Sequence, residues 1–212
     1  MNTMIVTAGL TLAALVAAPG GQEDRVQGVI DRVERECRRR PVYMIGPQKA
    51  RRLAELVRRA KPKVVVECGT AIGYSGLWIA RELRAIGGKL ITIEIDARRS
   101  REAGEYFRQA GLADLVTLKV GDARQVVKTL EGPVDFVFLD CGYANYLPCL
   151  KGLLDKLRDG AVVVADNVGI GQKGMEDYLQ FVRSRYKSRT EWFDLDLPWA
   201  KRDAMEVTVI SR

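Results

Sequence analysis

The residues best suited to chemistry stand at the ends of five short apolar runs. KVVVECG delivers Glu67, KLITIEID delivers Glu94 and Asp96, LVTLKVGD delivers Asp122, VDFVFLD delivers Asp140, and AVVVADN delivers Asp166 with Asn167. Any one of these is a turn residue or a helix cap by default. Five such ends on one edge ask for another account, because carboxylates gathered away from water are costly unless something neutralises them. Grouped side-chain oxygens are the donors preferred by Mg²⁺ or Ca²⁺. Histidine is absent from all 212 residues. That excludes a Ser-His-Asp hydrolase, an imidazole general base and a His-ligated zinc enzyme. The four cysteines, Cys37, Cys68, Cys141 and Cys149, form no CxxC pair. Reduced thiols in a reducing compartment are the default reading.

The apolar runs alternate with helical patterns. Apolar spacing predicts helices over 22–40, 48–59, 75–83, 97–110, 123–130, 146–157 and 175–186, with RTEWFDL and MEVTVIS as closing extended runs. Strands alternating with helices predict an α/β fold, a parallel sheet with helices on both faces. Such sheets bind ligands outside the carboxyl ends of their strands, which is the acidic edge. Gly69 and Gly73 permit a tight turn after the first strand, but their spacing is not the GxGxxG of a nicotinamide site. Glu94, ending the second strand, is placed to accept from both hydroxyls of a ribose. Together with the Gly121-Asp122 turn, this fits an adenosine-containing ligand that lacks a pyrophosphate.

Composition is that of an ordinary globular chain, with 47% hydrophobic and 29% charged residues. The formal charge of +7 could attract nucleic acid. Much of it is Arg on helix faces such as ARRSREAGEYFRQAG, and no RNA-recognition signature accompanies it, so no nucleic-acid partner is expected. Residues 1–21 form a separate apolar segment, and residues 22–212 a single domain. Positions 4–18 carry no charge and precede the Arg-rich EDRVQGVIDRVERECRRRP. A helix stopped by Pro19-Gly20-Gly21 and a membrane anchor with a cytoplasmic basic flank both fit. The expected location is cytoplasmic or cytoplasm-facing.

VVVECGTAIGYSGLWIAREL, KLITIEID, DFVFLD, YLPCLKGLLDKLRDGAVVVADNV and DAMEVTVIS stand in this order from about Tyr43 to the C-terminus. In these the chain resembles the class I S-adenosylmethionine-dependent methyltransferases, and most of all their catechol and caffeoyl-CoA O-methyltransferase group. The resemblance implies a Rossmann-like seven-stranded sheet, mostly parallel, with an antiparallel last strand. It implies S-adenosylmethionine and Mg²⁺, or another divalent cation, as cofactors. Ile45, Glu67, Gly69, Gly73, Tyr74 and Ser75 would surround the methionine end of the first, Glu94 its ribose, Ile95 its adenine, and Asp122-Ala123 the edge of the ring. Asp140 would touch the cofactor and, with Asp166 and Asn167, hold the metal. The acceptor would be a small hydroxylated, aromatic molecule.

One position departs from the family pattern. A Lys general base is expected three residues after the metal Asp, where this chain has Tyr143 in Asp140-Cys141-Gly142-Tyr143. Tyr143 as a phenolate base, Tyr143 as a packing residue, and a protein that methylates poorly are three open readings. Lys49 is present, with no geometric reason to call it a base. The apolar residues that clamp a catechol ring elsewhere in the family align with Pro41, Gly142 and Gly171, and the carboxylate for its second hydroxyl aligns near Leu197. Trp192, Phe193 and Trp199 could line an aromatic pocket, pack in the core or form a homodimer contact.

Overall fold

A computed structural model describes residues 19–40 and 42–212. The segment 4–18, read above as a helix or anchor, and Pro41 lie outside the described residues. α1 (Pro19–Arg39) begins earlier than periodicity predicts. Pro19-Gly20-Gly21, expected as a helix stop, forms its first turn, where a proline's missing N–H costs nothing. Val26, Ile30, Val33 and Cys37 recur on one face of α1 and are buried.

From α2 (Gly46–Ala60) onward strands and helices alternate: β1 (Val64–Cys68), α3 (Tyr74–Ile86), β2 (Lys89–Glu94), α4 (Ala97–Gln109), β3 (Val116–Val120), α5 (Ala123–Val126), β4 (Val134–Leu139), α6 (Tyr146–Leu153), β5 (Leu157–Ala165), α7 (Glu176–Arg185), β6 (Lys187–Asp194) and β7 (Arg202–Val209). They build a seven-stranded sheet in the order β3-β2-β1-β4-β5-β7-β6. β7 runs antiparallel to both its neighbours. Alternate strand residues face opposite layers: Val65, Phe136, Phe138 and Val164 pack towards α1–α4, while Val66, Val137, Leu139 and Val163 pack towards α6 and α7.

Two helices are shorter than predicted. α5 makes one turn and passes into a 3₁₀ turn at Val127–Thr129, which buries Val127. α6 stops at Leu153 because Leu157, read as its last apolar position, pairs with Val134 as the first residue of β5. Periodicity cannot distinguish a buried helix residue from a strand residue at such a junction.

Register fixes the acidic edge. Cys68 pairs with Leu139, and Leu139 with Ala165. The ladders run one step further, with Asp140 N–H donating to the Cys68 carbonyl and Asp166 N–H to the Leu139 carbonyl. Gly69, Asp140 and Asp166 therefore stand abreast where β1, the point at which strand order reverses, meets β4 and β5.

Candidate active site

The turn after β1 is built on Gly69 at φ +105°. A Cβ there would collide with the Asp140 carbonyl, so only glycine lets the turn lie against the end of β4. Gly69 and Thr70 N–H groups donate to the Ile93 carbonyl, tying the turn to β2 as well. Gly73 (φ +94°) is the N-cap of α3 and lines neither recess of the cleft.

Glu67 is fully buried beneath this turn. Ser75 Oγ donates to its Oε1 (2.6 Å) and Thr92 Oγ1 to its Oε2 (2.5 Å). Burial pushes its carboxyl up to about 7, Glu94's charge adds to this, and the two hydroxyl donors pull it back. Glu67 thus supports the floor of the cleft without lining it. Ile45, Tyr74 and Ser75 line a narrow recess that shares Gly69 and Asp140 with the main cleft. Glu94 does line the cleft, and its carboxylate is aimed by the N–H groups of Ala71 (2.7 Å) and Asp96 (3.0 Å). Ile95, 71% exposed, offers a bare apolar platform beside it. Asp122 caps α5 and is engaged by its neighbour's guanidinium, Arg124 Nη2 to Oδ2 at 2.6 Å. Ala123 lines the same end of the cleft.

At the other end Asp140, Asp166 and Asn167 face one space of about 620 Å³, within the usual range of ligand sites, ~300–1,000 Å³. Asp140 is half-buried, and burial first, then Asp166's charge, pushes its carboxyl up to about 8 against the pull of Lys49. Asp166 is buried and both its oxygens accept from Lys49 Nζ, at 2.7 and 2.9 Å. The third Nζ proton goes to Asp203 Oδ2 at 2.7 Å. Asp203, on β7, also accepts from Asn167 Nδ2 (3.0 Å) and from the N–H groups of Gly169 and Ile170. Asn167 is held at φ +58°, unusual for a residue with a side chain. Burial alone would depress Lys49, but the charges of Asp166 and Asp203 hold it above the ordinary lysine range. Burial would likewise raise Asp203, yet Lys49 and its N–H donors keep it below the usual carboxylate range.

The rim of this end is aromatic. Tyr43 and Trp199 meet edge to face, centroids 5.4 Å apart, and Tyr143 and Ile170 line the same cleft.

Comparisons with known proteins identify the family. A methyltransferase-domain family model matches residues 66–168. A probable O-methyltransferase of Mycobacterium tuberculosis is 33% identical over 180 residues, covering 80% of this chain and 75% of that protein. Catechol O-methyltransferase B of Danio rerio is 33% identical over 192 residues, covering 86% of this chain and 72% of that protein. The chain belongs to the class I S-adenosylmethionine-dependent O-methyltransferases. The solved structure of a candidate O-methyltransferase from Klebsiella pneumoniae superposes with a TM-score of 0.76 at 26% identity, over 94% of this chain and 93% of that one.

Within this O-methyltransferase, Tyr143 opens a 3₁₀ turn (Tyr143–Asn145) and packs against the loop after β5. A Cβ at Gly171 would come within 2.6 Å of its ring, and one at Gly174 within 3.1 Å of its Cβ. Burial, then the charges of Asp203, Asp140 and Asp166, raise its phenol above the ordinary value. Gly142 lines the cleft. Leu197 is buried against Gly46, and Asp194 and Asp196 are exposed and line no part of the cleft. Trp199 is the rim residue of the three aromatic candidates, Phe193 packs on the core, and Trp192 is exposed beside Arg202.

Lys49 and Asp203 are the members of this site that sequence reasoning missed. A signal existed for the first: Lys49 shares the apolar face of α2 with Ala50, Leu53 and Val57, where an ammonium is out of place without a partner.

Proposed function

We propose that this O-methyltransferase moves the sulfonium methyl of S-adenosylmethionine to a hydroxyl of a small, aromatic, catechol-like acceptor, assisted by Mg²⁺ or another divalent cation. The observation that carries the reading is the juxtaposition of Asp140, Asp166 and Asn167 with the aromatic rim in the cleft that Glu94 also lines.

The donor set fits a divalent cation by its charge and chemistry. Asp140, Asp166 and Asp203 bring three carboxylates against the one ammonium of Lys49. Asp140 has no protein hydrogen-bond donor to its carboxylate among the described residues. Asn167 spends its NH₂ on Asp203, leaving its carbonyl oxygen for the cleft. Among the described residues no three Asp, Glu or Cys side chains group as metal ligands by themselves. Two carboxylates and a carboxamide would leave further positions for water and acceptor oxygen, as Mg²⁺ prefers. When bound there, the cation would stabilise negative charge on the acceptor oxygen, at about 1.4 kcal/mol per unit by which a phenol's pKa of ~10 is lowered.

The chain's own residues do the rest. Glu94 would hold the nucleoside by its ribose, and the Gly69 turn with Asp140 would border the methionine end. Tyr43, Trp199 and Tyr143 would confine an acceptor ring so that its hydroxyl can meet the methyl group. Such positioning is worth up to ~7–11 kcal/mol in ideal cases. The O–C bond forms as the C–S bond breaks, giving the ether and a neutral thioether. Lys49 has its three N–H donors committed to Asp166 and Asp203, and burial with the nearby carboxylates raises the Tyr143 phenol, so on this reading the hydroxyl proton would leave to water.

Nucleic acid has no part in this reading. Among the described residues no helix is long and apolar enough to cross a membrane. The free thiols fit a cytoplasmic or cytoplasm-facing placement, and Trp192 is where a homodimer contact would be sought. The test is methyl transfer from labelled S-adenosylmethionine to a panel of catechols, monophenols and amines, with and without EDTA. EDTA-sensitive turnover on a diol, lost in Asp140→Ala with Tm near wild type, supports the reading. Cofactor binding without EDTA-sensitive turnover would favour another acceptor class or a catalytically silent protein, which the exchange of Lys for Tyr143 keeps in view.

A further inference from the structure

We propose that Lys49 is a positioning residue for the divalent-cation site: a built-in counter-charge that holds Asp166 and Asp203 in place without the cation and weakens the site's grip on it by repulsion. The inference rests on the metal reading above and concerns a residue outside the proposed ligand set.

Lys49 is 1% exposed and projects from the apolar face of α2. An ammonium has three N–H donors and no acceptor. All three are spent, two on Asp166 and one on Asp203. None is left for acceptor or cofactor, and a protonated amine has no lone pair to take a proton, so neither substrate binding nor base catalysis explains it. Charge does. Asp166 and Asp203 follow β5 and open β7 beside Asp140, and Lys49 pairs with the first two, at 2.7 Å each, offsetting part of the negative charge that would draw a cation.

The same ammonium reaches Asn167 indirectly. It fixes Asp203, and Asp203 takes the Asn167 amide together with the N–H groups of Gly169 and Ile170. Lys49 therefore organises the loop that carries two of the three proposed ligands while adding a positive charge beside their shared space. The expected consequence is a site that stays assembled when empty and binds its cation reversibly.

The test is calorimetric titration with MgCl₂, with and without S-adenosylmethionine, alongside thermal melts in EDTA and in MgCl₂. Lys49→Met removes the charge and keeps an unbranched side chain; Lys49→Gln also keeps an amide donor. Against wild type, Lys49→Met should melt lower in EDTA, recover more of its Tm on adding MgCl₂, and bind Mg²⁺ at least tenfold more tightly. If wild type binds Mg²⁺ and both variants bind it equally or more weakly, Lys49 is not a counter-charge and the proposal falls. If neither variant folds even with MgCl₂ present, the cation cannot stand in for Lys49 and the proposal falls too. A wild type that binds no Mg²⁺ in either condition removes the metal reading itself, a separate result.

Discussion

Replacing Gly69 with alanine probes the seam between the turn after β1 and the end of β4. Two costs are expected. The first is conformational: φ at Gly69 is +105°, and an L-residue in the left-handed region loses roughly 1–2 kcal/mol. The second is steric, because the new methyl would overlap the Asp140 carbonyl, and overpacking against backbone costs ~1–3 kcal/mol. Gly160→Ala separates the two, since Gly160 has φ +78° with nothing within 4 Å of the added Cβ. For a chain of this size each kcal/mol moves Tm by ~2–4 °C. Gly160→Ala should therefore lower Tm by ~2–8 °C, and Gly69→Ala by ~4–20 °C. Only Gly69→Ala should also weaken S-adenosylmethionine in calorimetry, because relieving the overlap moves the turn. Equal Tm losses in the two variants, with unchanged cofactor affinity, would refute the claim that this turn is wedged against Asp140.

Glu94→Gln should raise the dissociation constant for S-adenosylmethionine about 10- to 100-fold in calorimetry, since a hydrogen bond to a charged group is worth ~1.5–3 kcal/mol. Tyr143→Phe should keep turnover within about threefold and leave the pH–rate profile in place below pH ~9, because the phenol's pKa is raised; loss of a basic limb would restore the phenolate reading. For Glu67, whose pKa is raised from 4.5 to about 7, the folded state holds a proton that the unfolded chain has already released. Its contribution is therefore fullest below pH 4.5 and is lost as pH rises towards 7, by about 3 kcal/mol. Glu67→Gln should flatten that part of the Tm–pH curve, and an unchanged slope would count against a buried, protonatable Glu67.

The parallel portion of the sheet was legible because β1, β2, β4 and β5 are apolar runs bounded by turn residues, and their acidic ends followed from the same reading. The antiparallel last strand came from resemblance, and its place between β5 and β6 came only from the structure, since no local pattern reports which strand pairs with which. α5 and α6 were overextended because Val127 and Leu157 are buried in either conformation, and pairing with Val134 decided the second case. Lys49 and Asp203 were hidden for a different reason. They lie far apart in the chain, and an ion pair between α2 and β7 exists only once the sheet has assembled.

Tyr43, Tyr143, Ile170 and Trp199 all belong to connections between regular elements, whereas Glu94, Asp140 and Asp166 end strands of the sheet or directly follow one. On the proposed reading, selectivity and reactivity are thus written on separable parts of the polypeptide. Lineages diverging from this scaffold, or libraries built on it, can exchange the wall that greets an incoming molecule while the donor seat keeps its geometry.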